Sequence, residues 1–292
     1  MEKLVKDLER AVFSGGFTFF GAREVDGSEV TAAFADGYTA QGNFLVGADG
    51  IGSTTRRLLD ATARPEYAGY VAWRGLEPES ALPGEVLHPL QRPSGTPRRR
   101  VLPPGQRPEQ RAADGESAEG SRRVNWVWYA NVAEPDLPPL MTGRSGRRYA
   151  HFLTPGEVPT ETADRVAAQA DVSLPPQFAQ LVRLSDLFMQ PVYDLAPRRM
   201  VADHAALVGD AAGTVRPHTA SGTSKAFGDA AGLAAALQGW TPDTELPARA
   251  LEIWETQRLG RLVSLAESGL QLAARSTLGI PEGGQFLSVG GP

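Results

Sequence analysis

Runs of apolar residues predict strands near the start of the chain. The runs 17–20, 30–34 and 43–46 are separated by segments that contain Asp-Gly pairs. Short apolar runs divided by such turns are typical of a β-meander. Before them, apolar residues recur at helical spacing up to Gly15, which predicts a short opening helix.

A second group of strand-like runs lies further along the chain. Aromatic and β-branched residues dominate 67–76 and 124–132, and alternate positions of the second run carry two tryptophans. We expect these two runs to form a separate sheet. A capped helix is predicted over 160–170, and the mixed apolar run 184–195 is predicted as a strand.

Residues 92–123 interrupt the pattern of this second sheet. They are rich in Arg, Pro, Gly, Ser and Glu and show neither the helical nor the strand period. We predict a loop, because this composition is poorly suited to a strand. One hypothesis is a shifted reading frame that resumes near Ser121.

Two segments, 44–59 and 206–237, share one design, in which a buried strand enters a Gly/Asp turn and then a helix. In the second, Gly209 permits a tight turn and Asp210 offers a carboxylate suited to sugar or ribityl hydroxyls. The N–H groups at the start of the following helix favour negative charge, as on the ring carbonyl of a reduced flavin. Because ligands of open α/β folds bind at the carboxyl ends of strands, we predict a ligand site here.

Composition narrows the classes of function. The 292-residue chain has a net charge of -5 and no cysteine. The acidic balance gives no electrostatic reason for nucleic-acid binding, and the cysteine count excludes disulfides and thiolate metal sites. No apolar stretch is as long as a membrane span, and the histidines lack metal-ligand spacing. We therefore expect a cytoplasmic protein without a membrane span or a metal site.

At the two strand-turn-helix segments the chain resembles a known family, the para-hydroxybenzoate-hydroxylase-like flavoprotein monooxygenases. The residues that match its two downstream motifs are 45–50 with Ser53 and Arg56, and 207–212 with Pro217 and Gly222. Within the family, the segments 67–76, 125–129 and 208–226 are most similar to dihydroxypyridine hydroxylase-like members.

The resemblance implies an α/β fold with an incomplete, three-layer FAD-binding domain, an inserted α+β substrate domain and a C-terminal helical region. Residues 1–64 and 196–245 would form the FAD-binding domain. Residues 65–195 would form the substrate domain, and 246–292 the C-terminal helix and tail. The helix itself is predicted over 248–278 from its amphipathic pattern.

The resemblance also implies FAD and NAD(P)H as cofactors and a phenol-like or hydroxypyridine-like substrate. In the family, NAD(P)H reduces FAD, dioxygen forms a flavin hydroperoxide, and the distal oxygen passes to the aromatic ring. Asp210, on the Gly209 turn, would contact the ribityl or pyrophosphate part of FAD. Asp49 and Arg56 would support cofactor and nicotinamide use. The isoalloxazine ring would be lined by backbone groups of Pro217, Ala220, Ser221, Gly222 and Thr223. No catalytic residue is assigned, and a homodimer is one assembly left open.

One family feature is missing from the sequence. The family holds the ADP pyrophosphate with a Gly-x-Gly-x-x-Gly turn, and no such turn occurs in the chain. We therefore expect a truncated chain whose first βαβ unit lies upstream of Met1. Two alternatives to the hydroxylase stay open: an inactive remnant or interaction protein of the same fold without tight FAD binding, and a small-molecule carrier that uses the substrate domain alone.

Several residues carry a structural interpretation beside the functional one. Asp49 suits a turn cap as well as a cofactor contact. His218 suits a structural loop histidine better than a group that deprotonates a substrate. Trp126, Trp128 and Tyr129 suit either the core of the second sheet or the lining of an aromatic pocket.

Overall fold

The chain forms two compact units. The computed structural model describes residues 19–25, 29–34, 37–91, 109–111 and 122–279. Unit 1 runs to Glu66 and resumes over Tyr193–Gly269, and unit 2 comprises Tyr67–Val192 and the chain after Gly269. Helices and strands occur in both units, so the α/β class is confirmed. The predicted opening helix and the tail at 283–292 lie outside the described residues.

The described residues include seven α-helices and ten β-strands. The helices are α1 (Thr54–Leu59), α2 (Gly84–Gln91), α3 (Leu137–Leu140), α4 (Thr160–Ser173), α5 (Pro176–Leu184), α6 (Gly222–Ala236) and α7 (Ala248–Arg275). The strands are β1 (Phe19–Val25), β2 (Glu29–Phe34), β3 (Thr39–Gly42), β4 (Leu45–Gly47), β5 (Glu66–Pro78), β6 (Glu109–Arg111), β7 (Arg123–Asn131), β8 (Phe188–Asp194), β9 (Val201–Ala202) and β10 (Ala205–Leu207). Within the described part of the chain, no helix combines the length and the apolar character needed to cross a membrane.

The first sheet of unit 1 is the predicted antiparallel meander, in the order β1-β2-β3. The prediction was wrong about its third strand, which is Thr39–Gly42 and not the run at 43–46. Thr39 pairs with Ala33, and Gly42 pairs with Val30. Backbone pairing with β2 selects this short segment, although its side chains form no apolar run.

The second sheet of unit 1 has the order β4-β10-β9. The central strand β10 is parallel to β4, with Ala206 opposite Val46, and antiparallel to β9. All residues of β10 are buried, as predicted from their continuous apolar run. Leu207 packs in one core with Leu233 of α6 and Trp254 of α7. Each parallel strand therefore leads into a turn and a helix at the same edge of the sheet.

Unit 2 is built on a sheet in the order β6-β7-β5-β8. Strands β5 and β7 are antiparallel, with Trp73 opposite Trp128. Trp73, Trp126 and Trp128 are buried in one core with residues of α4 and α5, so the core interpretation of the two predicted tryptophans is confirmed. Tyr129 lies on the other face of the sheet, with its ring centroid 5.9 Å from that of Tyr70.

One prediction in unit 2 was wrong. The segment 92–123 does contain a strand, β6, in which Glu109 pairs with Asn125. An edge strand of three residues needs backbone pairing with one neighbour and no apolar side chains, so composition did not reveal it. The strand predicted over 184–195 is confirmed as β8, although it begins only at Phe188, because α5 extends to Leu184.

We predict that Leu153→Ala destabilises the protein by about 2–5 kcal/mol, because Leu153 is fully buried in the core of unit 2 and its loss leaves a cavity. The control is Val172→Ala on α4, where the side chain is 83% exposed and the expected change is below about 0.5 kcal/mol. Urea unfolding of both variants measures the difference, and equal effects would contradict the assigned core.

Candidate functional site

An open cleft lies in unit 1, where the turns after β4 and β10 come together. Its volume is about 1090 Å³. The residues that line it are Ala48, Gly50, Val208, Gly209, Asp210, Gly222, Thr223, Ala226, Phe227 and Ala230. The parallel pairing of β4 with β10 places both turns at the carboxyl edge of the sheet. This position matches the usual ligand site of open α/β sheets.

Glycine is required at both turns of the cleft. Gly50 has φ +73° and Gly209 has φ +61°, a left-handed conformation that L side chains rarely adopt. A Cβ atom built on Gly50 or Gly222 meets nothing within 4 Å. The backbone at these positions is therefore exposed to the cleft, and a ligand can approach it closely.

Two buried charged residues of α6 hold the Gly209 turn from both sides. The Gly209 N–H donates to Asp229 Oδ2 at 3.1 Å. The Gly209 carbonyl accepts from Lys225 Nζ at 2.7 Å. Lys225 and Asp229 are themselves paired at 2.8 Å, with side chains 2% and 1% exposed. Both polar groups of this glycine are thus occupied, which fixes its left-handed backbone.

Helix α7 completes the same network. Arg258 Nε donates to Asp229 Oδ1 at 3.0 Å, and the Trp254 indole N–H donates to the Asp229 carbonyl at 3.1 Å. The Asp229 carboxylate therefore accepts hydrogen bonds from both helices and from the turn. A buried carboxylate requires such compensation, because burial removes its hydration.

Asp210 differs from the other acidic residues near the cleft. It follows Gly209, lines the cleft and is exposed. None of the other residues that the structure describes forms a hydrogen bond or an ion pair with its carboxylate. Asp210 is therefore available to accept hydrogen bonds from a ligand.

The first turn of α6 also faces the cleft, through Gly222 and Thr223. Ser221 occupies the cap position without a side-chain cap hydrogen bond, because its hydroxyl donates to the Thr219 carbonyl at 3.0 Å. The free N–H groups and the positive end of the helix dipole remain available at this terminus. The cleft thus combines an anion-favouring helix start with the carboxylate of Asp210.

Asp49 caps α1. Its carboxylate accepts from the backbone N–H groups of Thr54 and Thr55 at 2.8 and 3.1 Å. It also accepts from the Ser53 hydroxyl at 2.5 Å, while Ser53 caps the Arg56 N–H at 2.9 Å. The carboxylate is engaged within its own turn, and Asp49 does not line the cleft. Its geometry favours the cap interpretation.

Arg56 is 1% exposed, and its guanidinium binds backbone carbonyls. It donates to Ala63 and Ala211, at 3.3 and 3.1 Å, and to Ile51 at 2.5 Å. Burial lowers the pKa of Arg56, while the nearby Asp49 charge acts in the opposite direction. The side chain is enclosed in unit 1, where it links the first turn of the cleft to the second, and its support of cofactor and nicotinamide use stays a prediction.

The loop before α6 is anchored by an ion pair. Arg216 is buried and donates to both oxygens of Asp194 at 2.7–3.1 Å. Ala220 adopts φ +51° at the end of this loop. Of the predicted ring-lining residues, Gly222 and Thr223 line the cleft, whereas Pro217, Ala220 and Ser221 do not. Contact between those three residues and a cofactor stays a prediction.

His218 lies half-buried in the same loop. Burial, reinforced by the positive charge of Arg216, lowers the pKa of His218 to about 4. The imidazole is therefore neutral at pH 7. A neutral histidine fits the structural interpretation, and a role with substrate stays untested.

The comparisons with known proteins agree on one family. A family described as FAD binding domain-like matches residues 109–194. The 2,6-dihydroxypyridine 3-monooxygenase of Paenarthrobacter nicotinovorans is 33% identical over 263 residues, covering 89% of this chain and 63% of that protein. The FAD-dependent urate hydroxylase of Klebsiella pneumoniae is 30% identical over 263 residues, covering 84% of this chain and 56% of that protein.

A solved structure points to the same group of proteins as the sequence comparisons. The 2,6-dihydroxypyridine-3-hydroxylase of Arthrobacter nicotinovorans superimposes with a TM-score of 0.73 at 29% identity, over 92% of this chain and 65% of that one. The chain is similar to FAD-dependent aromatic-ring monooxygenases in sequence and in fold. It spans less than two thirds of the length of these relatives.

The chemistry of the cleft fits FAD, the cofactor of these monooxygenases. Hydroxyl groups of a ribityl chain require acceptors, and Asp210 is a free carboxylate at the wall. An anionic ring carbonyl requires N–H donors, which the start of α6 supplies. The bare backbone at Gly50 and Gly222 permits close contact with a flat ligand.

Two residues that hold the Gly209 turn, Lys225 and Asp229, were not predicted from the sequence. Their signal was present as two opposite charges four residues apart in a helix otherwise rich in Ala and Gly. Such a pair is usually interpreted as a solvated i,i+4 ion pair. The Gly209-Asp210 turn distinguishes this pair from a solvated one. A buried strand ends at that turn, so the backbone groups of the turn need hydrogen-bond partners.

We predict that Asp229→Ala destabilises the protein by about 3–5 kcal/mol, because it leaves Lys225 buried without its carboxylate partner. The matched control is Glu252→Ala on α7, which removes an exposed ion pair with Arg249 and should cost less than about 1 kcal/mol. Urea unfolding monitored by tryptophan fluorescence compares the two. Similar losses would show that the buried network contributes no more than a surface pair.

We predict that His218 makes stability fall as pH is lowered from about 6.5 to about 4. The unfolded histidine takes up a proton near its ordinary pKa of about 6.5, whereas the folded one does so only near 4. Below the first value the unfolded state binds more protons, so folding weakens. The variant His218→Gln should show a flatter dependence of melting temperature on pH across this window, and an unchanged slope would contradict the assignment.

Proposed function

We propose that the protein catalyses FAD-dependent hydroxylation of an aromatic or hydroxypyridine-like ring, with NAD(P)H as the reductant. The observation that carries the proposal is the cleft at the carboxyl edge of β4 and β10, where a free carboxylate and an uncapped helix start lie together. Similarity to FAD-dependent monooxygenases supports the choice of cofactor and of reaction class.

Different residues of the cleft would bind different parts of the cofactor. Asp210 would accept hydrogen bonds from the ribityl hydroxyls. The N–H groups of Gly222 and Thr223 would stabilise negative charge on the flavin ring, because they lie at the positive end of the dipole of α6. Lys225 and Asp229 would hold the Gly209 turn in the conformation that presents Asp210.

When bound, FAD would supply the redox chemistry of the reaction: uptake of electrons from NAD(P)H and transfer of one oxygen atom of dioxygen to the aromatic ring of the substrate. The protein would contribute positioning, through a rigid turn that orients the flavin ring at the carboxyl edge of the sheet. The names of the two relatives, a 2,6-dihydroxypyridine 3-monooxygenase and a urate hydroxylase, favour an oxygenated nitrogen heterocycle as substrate. No side chain needs to act as an acid or base in this proposal.

We predict that the full chain binds FAD and that Asp210→Ala weakens this binding by about tenfold or more, because hydrogen bonds to a charged acceptor are lost. The control is Asp243→Ala, which removes an exposed aspartate outside the cleft and should leave FAD affinity unchanged. Titration of the purified protein, followed by visible flavin absorption, measures both.

The same titration separates the hydroxylase from its alternatives. Stoichiometric FAD binding that depends on Asp210 supports the hydroxylase and justifies measuring NADH and NADPH consumption with hydroxypyridines. A protein that binds no FAD at any concentration would contradict the proposal and favour a non-catalytic protein of the same fold.

A further inference from the structure

A second pocket lies in unit 1, at the edge of the β4-β10-β9 sheet opposite to the cleft. Leu45 and Ala205, the first residues of β4 and β10, contribute to its lining, whereas the cleft lies beyond the last residues of the same strands. The volume of this open pocket is about 690 Å³, which is within the range of small-molecule sites. It therefore has room for a ligand of its own, separate from any ligand of the cleft.

One wall of the pocket is aliphatic. Leu45 of β4 and Leu58 and Leu59 of α1 contribute to it. The Leu58 side chain is 50% exposed, although removing a leucine side chain from water is favourable. A ligand with an aliphatic group of its own would cover this surface.

The polar part of the pocket is built on a two-residue hairpin turn. Ala205 pairs with Ala202, so Asp203 and His204 form the turn between β9 and β10. Asp203 has φ +46°, a left-handed conformation that aspartate and asparagine adopt more readily than most residues. The His204 carbonyl accepts from the Leu45 N–H at 2.8 Å, which ties the turn to β4. The turn thus holds a carboxylate and an imidazole at the pocket.

The hydrogen bond of the His204 ring determines what the imidazole can offer to a ligand. Its Nδ1 lies 2.8 Å from the Asn43 carbonyl oxygen. A carbonyl oxygen can only accept, so Nδ1 carries the proton and donates it. In the neutral ring Nε2 then keeps its lone pair. Asp203 and His204 therefore both supply acceptors, which suit a ligand that has N–H donors.

Arg199 supplies the opposite charge. Its side chain also lines the pocket and, like that of Asp203, is exposed. The pocket thus combines a cation, an anion and a neutral acceptor with an aliphatic wall. A ligand with a single charge would pair with one of the two charged side chains and bring a like charge towards the other. A zwitterion that carries an aliphatic group complements all of these features.

We propose that this pocket binds a zwitterionic α-amino acid with an aliphatic side chain. Arg199 binds the carboxylate of the ligand, because a guanidinium presents its N–H donors in a fork that matches a carboxylate. The carboxylate of Asp203 and Nε2 of His204 accept hydrogen bonds from the ammonium group. The three leucines contact the aliphatic side chain. The inference does not rest on the proposed function, since the cleft and this pocket lie at opposite edges of the sheet.

The first test uses the wild-type chain and four probes in isothermal titration without FAD. L-Leucine is compared with 3-methylbutylamine, which lacks the carboxylate, and with 4-methylpentanoate, which lacks the ammonium group. The fourth probe, 6-aminohexanoate, is an isomer of leucine with its charges at opposite ends and no free aliphatic group. We expect leucine to bind about fivefold more tightly than each of the others, because each lacks one exposed ionic contact or the apolar contact. No binding of leucine, or equal binding of any other probe, would overturn the proposal.

The second test assigns the binding to this pocket. Arg199→Gln and Asp203→Asn each remove one charge, and asparagine tolerates the left-handed backbone at 203. Each variant should weaken leucine binding about fivefold, and Arg199→Gln should bind leucine and 3-methylbutylamine equally. The matched controls are Arg198→Gln and Asp243→Asn, at exposed positions outside the pocket lining. Unchanged affinity in the two pocket variants, or an equal loss in the controls, would refute the assignment.

A competition experiment separates this site from the cleft. Leucine titrated into the chain in the presence of FAD should bind with the same affinity as without FAD, whereas competition would place leucine in the cleft and overturn the pocket. The substituted side chains are exposed, so the variants should fold, and the comparison of probes on the wild-type chain needs no variant. A chain that binds leucine but not FAD would keep this site and lose the proposed function, and the converse would remove only the site.

Discussion

The buried carboxylate of Asp229 is the interaction on which the cleft of unit 1 depends. It accepts hydrogen bonds from Lys225, Arg258 and the N–H of Gly209. One side chain thus joins two helices to the turn at the end of β10. Because an uncompensated buried charge is strongly unfavourable, each partner is restricted to the few positions that satisfy it. The left-handed backbone of Gly209, and with it the position of Asp210, is set by this requirement.

The other charged side chains near the cleft are likewise compensated by hydrogen-bond partners within the protein. Arg56 donates to carbonyls of both turns, Asp49 caps α1, and Arg216 anchors the loop before α6 through Asp194. These charges satisfy backbone and loop groups inside the protein and thereby maintain the shape of the cleft. Asp210 is left as an exposed acceptor in the cleft.

Much of the fold was predictable because it follows from local properties of the chain. The continuous apolar run of β10 indicated a strand covered on both faces, and it is buried throughout. The alternation of Trp126 and Trp128 placed both rings on one face of β7, where they form part of the core. The glycines after β4 and β10 marked tight turns, and both adopt positive φ. Periods of two and 3.6 residues and the freedom of glycine depend only on neighbouring residues.

By itself, the sequence determined the buried strands, the two Gly/Asp turns that follow them and the resemblance to FAD-dependent monooxygenases. Only the tertiary structure decided that β3 and β6 are strands, since edge strands are selected by backbone pairing with a partner. It also decided that Arg56 is enclosed and that Lys225 and Asp229 are a buried clamp, not a solvated pair. The physical reason is the same in each case. Hydrogen-bond partners and burial come from segments that are distant in the chain, so the local sequence pattern does not indicate them.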